Sequence, residues 1–505
     1  MLPIKTFNTQ EELNAYIESI ITKKFYPYFY LCKDTNIITC SAKGFKYKPL
    51  TFENISNTAI SLGFSIHYNN IYETEHPNLQ ISYDNITWRD VTEEEWYAYN
   101  SSGNYIFNLE PDSTIYFKGD NPDGFNHGID EICDYVRFVF SSNSGSIKVS
   151  GNIMSLINST KYTDFQDKHA YSFFRLFSAS ENDTIKNTAI VDAKDLILAN
   201  NTAESCYMCM FDSQYNLTEA PELPATILAE NCYKNIFKYC ASLTSTPELP
   251  ATTLAPYCYA SMFEGCTSLI AAPELPATTL TEYCYAGMFG MCTSLTSAPE
   301  LPATTLTEYC YYEMFNGCTS LIAAPELPAT TLTEYCYALM LAGCTSLTSA
   351  PELPATTLAE SCYTSMFGGC MSLTSAPTLP ATTLANNCYI SMFGDCTSLT
   401  SAPELPATTL TDYCYGYMFA GCTSLTSAPT LLATTLAEFC YMGMFNSCTS
   451  LNYIKCLATD IDADNSTLSW LSDVSSEGTF VKAASMTSWP VGPNGIPENW
   501  TVEDA

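Results

Sequence analysis

Basic residues are what this 505-residue chain has least of: 20 Lys and Arg stand against 53 Asp and Glu, a formal charge of −33. A surface this acidic repels phosphate backbones, which excludes sequence-independent nucleic-acid binding. The deficit is sharpest between Lys238 and Lys455, where no Lys, Arg or His occurs. That stretch can meet basic or neutral partners, or cations, but has no side-chain charge with which to hold an anion. Histidine is nearly missing, with 4 in the chain. His67, His76 and His127 are too scattered to read as a catalytic constellation. No apolar run approaches the roughly 20 residues of a membrane helix. The opening, Met1-Leu2-Pro3-Ile4-Lys5-Thr6, lacks the basic-then-apolar order of a secretion leader. The expectation is either a leader already removed or a route that bypasses secretion, as for a virion protein assembled inside its host. Apolar material is plentiful: 47% hydrophobic and 13% aromatic residues suffice for a packed interior.

What is there is repetition. From about Cys206 to Cys448 one phrase recurs, as in Pro299-Glu300-Leu301-Pro302-Ala303-Thr304-Thr305-Leu306, then Cys310-Tyr311, Met314-Phe315 and Cys318-Thr319-Ser320-Leu321. The register holds at 26 residues from Pro221 to Pro429. A fixed period of this size predicts a solenoid of stacked units, none of which buries its faces alone. Within each unit the pattern predicts a helix opened by Thr305 and Glu308 as a capping box. That helix presents Leu306, Cys310, Tyr311, Met314 and Phe315 inward and ends at Gly317. Ala298–Leu301 is expected as a short strand limited by Pro299 and Pro302.

Eighteen of the 24 cysteines form nine pairs of one spacing, Cys232/Cys240 through Cys440/Cys448. Eight residues is wider than the C-x₂₋₄-C of zinc sites, and no His accompanies the pairs. One disulfide per coil and two ladders of buried reduced thiols both remain open. No residue is read as catalytic, no metal ligand is assigned and no cofactor is expected.

Two outward features are candidates for binding. Glu222, Glu248, Glu274, Glu300, Glu326, Glu352 and Glu404 recur at one position, with Thr378 and Thr430 as exceptions, and form an acidic stripe. It is either a solvated row or a face for cations and basic partners. The letters that change between repeats mark a variable outer face: Tyr257, Tyr283, Tyr309, Tyr312, Glu313, Tyr335, Ile390, Tyr413 and Tyr417. Tyr supplies rigid amphipathic contact area, so this face is the candidate recognition surface.

The flanks read differently. Residues 1–46 suggest an attachment segment, a helix over 9–22 followed by a hairpin from Phe25–Cys32 and Ile37–Cys40, in which Cys32 and Cys40 either face each other or are two unpaired strand cysteines. Residues 47–150 suggest a β-sandwich with strands Ala59–Ile66, Leu79–Tyr83, Tyr105–Leu109, Thr114–Lys118, Val136–Phe140 and Ser146–Val149, and a core Trp88. The solenoid then covers 151–453, opening on a worn copy at Ser172–Phe177. Residues 454–505 form a C-terminal cap, with a short helix over Ser466–Ser472, a strand over Gly478–Ala483 and an aromatic lid from Trp489 and Trp500.

The run Leu-Thr-Ser-Ala-Pro-Glu-Leu-Pro … Met-Phe-x-x-Cys-Thr-Ser-Leu resembles the bacterial surface-antigen (BspA-like) leucine-rich repeats. Leu321 … Leu327-Pro328 stand at that family's strand positions, and Met340-Leu341 … Cys344 at its turn. The tail Gly478-Thr479-Phe480-Val481-Lys482-Ala483 … Gly495-Ile496-Pro497 … Trp500-Thr501-Val502 resembles endings of gut-bacterial members and their phages. The 26-residue period with Cys-Tyr departs from that family's shorter unit. The expected fold is thus an α/β solenoid of 26-residue leucine-rich repeats, preceded by a small α+β segment and a β-sandwich. The resemblance implies adhesion: a non-enzymatic protein that meets a protein or glycan on a cell surface. The first setting is a phage virion, with a virion partner at the N-terminal region, and the alternative is a bacterial cell-surface adhesin. A glycan-acting enzyme and a structural spacer are the rival classes.

Overall fold

The computed structural model describes residues 5–7, 29–32, 37–40, 48–67, 76–102, 104–126, 135–142, 144–162, 169–179 and 188–505. The helix expected over 9–22 lies outside them. Strands β1 (Lys5–Phe7), β2 (Phe29–Cys32) and β3 (Ile37–Cys40) form one sheet in that order. Its register sets Cys32 opposite Ile37 and Cys40 opposite Phe29, so the two cysteines are not cross-strand partners.

Next come β4 (Leu50–Asn54), β5 (Ile60–His67), β6 (Gln80–Ser82), β7 (Arg89–Asp90), helix α1 (Glu93–Ser102), β8 (Phe107–Leu109), β9 (Thr114–Lys118), β10 (Tyr135–Phe140), β11 (Ile147–Asn152) and β12 (Ile190–Ile197). They make a six-stranded sheet, β12-β11-β4-β9-β6-β7, and a three-stranded one, β10-β5-β8. In β9, Ile115 and Phe117 alternate inward between half-buried neighbours, the period-2 signature of a strand with one face packed. Phe52 and Phe117 of the larger sheet meet Phe138 of the smaller at ring distances of 4.9 and 5.1 Å. The core tryptophan here is Trp96 of α1, fully buried 4.3 Å from Phe64. Trp88 is only half-buried, with the Lys118 ammonium 4.2 Å from its ring. Thr92 and Glu95 start α1 as a reciprocal capping box: Glu95 N–H donates to Thr92 Oγ1, and Thr92 N–H to Glu95 Oε2.

The repeats contain no helix. Every fourth residue of the Cys-Tyr-x-x-Met-Phe segment has positive φ: Asn231, Asn235 and Tyr239 in one unit, Tyr309, Glu313 and Gly317 in another. Between them the chain runs as consecutive tight turns. The amides of Cys232, Lys234, Ile236, Lys238 and Cys240 each donate to the carbonyl three residues back. The alternate amides leave the unit. Asn231, Tyr233, Asn235, Phe237 and Tyr239 donate to Pro256, Cys258, Ala260, Met262 and Glu264 of the next repeat at 2.7–3.1 Å. Along this segment one amide closes a turn and the next joins two units, so the buried backbone is satisfied without helix or extended strand. The pattern starts with the worn copy, where Phe173 N–H donates to Cys206, and ends where Ser447 N–H donates to Ser472.

An α/β solenoid of leucine-rich repeats is therefore not the fold. Glu93–Ser102 is the only α-helix among the described residues. The sheets end at Ile197 and resume only at Tyr453, and none of them is built from the repeats. Thr305, expected as a helix cap, instead bridges Thr279 on one side and Thr331 on the other. Ala298–Leu301 forms no strand, and Ser466–Ser472 forms a last rung of turns, with positive φ at Asn465, Ser469 and Asp473. The helical reading fails because left-handed residues every fourth position, and amides turned toward the neighbouring unit, leave no i→i−4 ladder.

Inside the column each inward position becomes a row. Tyr207, Tyr233, Tyr259, Tyr285, Tyr311 and their successors to Tyr441 stack at 5.8–6.1 Å with nearly parallel rings. A Phe row runs beside it, interrupted by Leu341. The twenty-one cysteines from Cys206 to Cys456 are all free and buried. The second cysteine of each pair donates Sγ–H to the preceding unit's Phe or Leu carbonyl, as Cys318 does to Phe289 at 3.1 Å. Trp470 closes the Tyr row against Tyr441, stacks on Trp489 and donates Nε1–H to Gly495. Around it β13 (Tyr453–Cys456), β14 (Thr479–Lys482) and β15 (Thr501–Asp504) pair in parallel. One apolar core runs from Leu50 to Trp500.

Candidate functional site

The outer face of the column is set by the same turn chemistry. The residue before each first cysteine has φ of 51–58°, a left-handed conformation in which Gly and Asn are at ease and a ring is not. Five repeats nonetheless place a tyrosine there: Tyr257, Tyr283, Tyr309, Tyr335 and Tyr413. All five are half-buried. The first four form a continuous outer stack with ring spacings of 4.5, 4.4 and 4.6 Å and interplanar angles below 10°. Tyr413 stacks on Phe439 at 4.5 Å. Ser361 and Asn387 hold the intervening positions, so the outer stack is cut between Tyr335 and Tyr413.

Tyr312 meets Tyr309 edge-on at 5.7 Å, and Glu313, the next residue, sits at a left-handed position with φ 54°. Lost hydration pushes the phenols of Tyr309 and Tyr312 up to about 12, with Glu313 adding to the shift at Tyr312. These two phenols are thus uncharged at neutral pH. Ile390 occupies the position equivalent to Tyr312 beside the cut, close to Gly416. Tyr417 is exposed at the position equivalent to Glu313, and its ring covers Gly443.

The acidic stripe is a separate feature. Glu222, Glu248, Glu274, Glu300, Glu326, Glu352 and Glu404 are all exposed. Shallow clefts lie between successive Pro-Glu-Leu-Pro segments, where the prolines have no N–H to pair with a neighbour. Thr378 Oγ1 donates to Glu352 across one such step.

A second acidic row escaped the sequence reading. Glu230, Glu282, Glu308, Glu334, Glu360, Asp412 and Glu438 stand immediately before the left-handed position. Their carbonyls accept the amide of the preceding unit's outer residue, as Glu360 accepts from Tyr335 at 3.2 Å and Asp412 from Asn387 at 3.1 Å. The carboxylates of Glu282 and Glu308 act electrostatically on Tyr283, and that of Glu334 on Tyr309. The signal was visible in the Glu-Tyr-Cys triplets, but a helical register sends those neighbours 100° apart.

His76 stacks on Trp96 at 4.8 Å, a packing role. Among the described residues no group of three or more His, Cys, Asp and Glu is placed to hold a metal. Nor is any described helix long and apolar enough to cross a membrane. Comparison with protein-family models and with characterised proteins returned no match to this chain.

Proposed function

We propose that this chain is a non-enzymatic recognition protein that displays the outer face of its repeat column to a protein or glycan on a cell surface. One observation carries the reading. Inward positions barely change between repeats, whereas the outward ones range over Tyr, Ser, Asn, Glu, Leu, Ile and Gly on an unchanged backbone. A scaffold that holds φ constant while side chains vary is suited to presenting contacts. The exposed Glu row supports recognition over glycoside chemistry, which needs two carboxylates facing each other across a substrate. The resemblance to BspA-like surface repeats supports adhesion, and the tail's resemblance to endings of gut-bacterial members and their phages suits a phage virion setting first, with a bacterial surface adhesin as the alternative.

Binding of the intact chain to bacterial cells tests this, compared with a variant carrying Tyr257→Asn, Tyr283→Asn, Tyr309→Asn and Tyr335→Asn. Asn231 and Asn387 already hold that backbone position. Loss of cell binding is expected. Undiminished binding by the folded variant would remove the outer face from the function. Antibody labelling of phage particles against bacterial envelopes separates the two settings.

A further inference from the structure

We infer that the repeat column is a redox-gated structure: it closes only from reduced thiols and, once closed, withholds them from disulfide exchange. The eighteen paired cysteines are all 0% exposed. From Cys240 to Cys448 the second of each pair donates Sγ–H to a carbonyl of the preceding unit at 3.0–3.3 Å, nine bonds that a disulfide sulfur has no proton to make. No bridge fits in their place. The Tyr and Phe rows that flank the thiols repeat at 5.5–6.1 Å. Equivalent cysteines follow the same step with parallel side chains, whereas a disulfide sets its Cβ atoms roughly 3.5–4.5 Å apart and needs them converging. Within a pair, two four-residue turns centred on buried Ile236 stand between Cys232 and Cys240.

In the unfolded chain the constraint is reversed. Cysteines eight residues apart meet readily there, because closing a short loop costs little entropy. Glutathione disulfide supplies the chemistry. One cysteine thiolate attacks a glutathione sulfur, the S–S bond breaks and a glutathione thiolate leaves. The second cysteine thiolate then attacks the mixed disulfide, forming the Cys–Cys bond and releasing the other glutathione. Two electrons pass to glutathione, and the two protons shed by the cysteines end on its thiols. One such bond removes an Sγ–H donor and pulls a pair out of register, and a unit that cannot stack leaves its neighbours uncovered. In the folded column, burial pushes thiols such as Cys232 and Cys284 from an ordinary 9.0 up to about 12, so about a thousandfold fewer thiolates exist to start the exchange. Such a chain has to close where thiols are kept reduced, before it meets an oxidising compartment. None of this depends on what the outer face binds.

The test is cell-free synthesis of the full chain with either reduced glutathione or glutathione disulfide present. The readout is the fraction of synthesised chain that resists chymotrypsin, whose Tyr, Phe and Leu targets are the buried rows of the column. That fraction is expected to be at least tenfold lower with glutathione disulfide and to recover when dithiothreitol is added. Mass spectrometry of the trapped chain should find bridges between cysteines eight apart. In a second arm, chain made under reducing conditions is transferred to glutathione disulfide at pH 8. Its thiols should be lost at least a hundredfold more slowly than those of the same chain in denaturant. Equal resistance in the two syntheses overturns the gate, as does a loss that dithiothreitol cannot reverse. Folded thiols that exchange as fast as denatured ones overturn the protection.

Discussion

Raising the pH should dissolve the repeat column abruptly, and the cysteines set where. Burial pushes the thiols of Cys232, Cys284, Cys310, Cys336, Cys396, Cys414 and Cys448 up to about 12 from an ordinary 9.0, and their partners in the pairs higher still. A folded-state value above the unfolded one means the contribution to stability is whole below pH 9 and is lost as pH climbs toward the folded value. At pH 10 each unfolded thiol gains roughly 1.4 kcal/mol from an ionisation the folded state forbids. Two per repeat make about 3 kcal/mol. A 26-residue unit holds on the order of 1–4 kcal/mol at ~0.05–0.15 kcal/mol per residue, and in a repeat array such terms add along the column.

Unfolding is therefore expected near pH 10, well before backbone chemistry intervenes. Near-ultraviolet circular dichroism would follow the stacked rings, and reaction with a thiol reagent would count the cysteines exposed. Proton release gives an independent number, because the slope of stability against pH reports how many thiols ionise on unfolding. A column that keeps its near-ultraviolet signal through pH 11 would refute the reasoning. So would cysteines that react at pH 8 as fast as in denaturant.

Four substitutions probe other parts of the same construction. Tyr285→Phe should raise the thermal midpoint, since its buried hydroxyl has no hydrogen-bond partner and an unsatisfied group costs ~1–3 kcal/mol; Tyr207→Phe should lower it by about 1 kcal/mol, losing the Ala199 N–H donated to its oxygen at 3.0 Å. Gly265→Ala should destabilise by ~1–3 kcal/mol in chemical denaturation, because φ is +73° and an added Cβ would lie 2.2 Å from the Tyr239 ring. Trp470→Ala should cost ~3–5 kcal/mol and speed hydrogen exchange of the Tyr441, Gly443, Phe445 and Ser447 amides, which donate into the rung Trp470 belongs to.

The period of 26, the inward rows and the outward tyrosines were legible because they depend only on which letters recur. Strand β9 was legible to the residue because alternation is its direct signature. The turn geometry was not. Inward positions such as Cys232, Ile236 and Cys240, or Tyr233 and Phe237, are spaced by four, and over ten residues a period of 4.0 drifts from 3.6 by only about one residue. The residues that would have exposed the turns occur at every fourth place: Asn231 and Asn235, Ser261 and Gly265, Ser365 and Gly369, Asn387 and Ser391. Tyr309, Glu313, Leu339 and Met291 stand at the same places in other units and conceal the pattern. Their left-handed conformation is imposed by the neighbouring units, whose carbonyls fix each amide, and not by their own preference.

That imposition bears on what the outer tyrosines are for. A ring held at φ near 55° costs ~1–2 kcal/mol over a residue at ease there, and an aromatic contact returns ~0.5–1.5 kcal/mol. Stability alone is roughly indifferent, and asparagine serves at Asn231 and Asn387 without the strain. The buried Tyr row already supplies continuous stacking down the column. A second, outer stack that gains little for the fold is what the proposed recognition role would call for. Its interruption at Ser361 and Asn387, where the backbone keeps the same left-handed conformation, shows that the column closes without those rings.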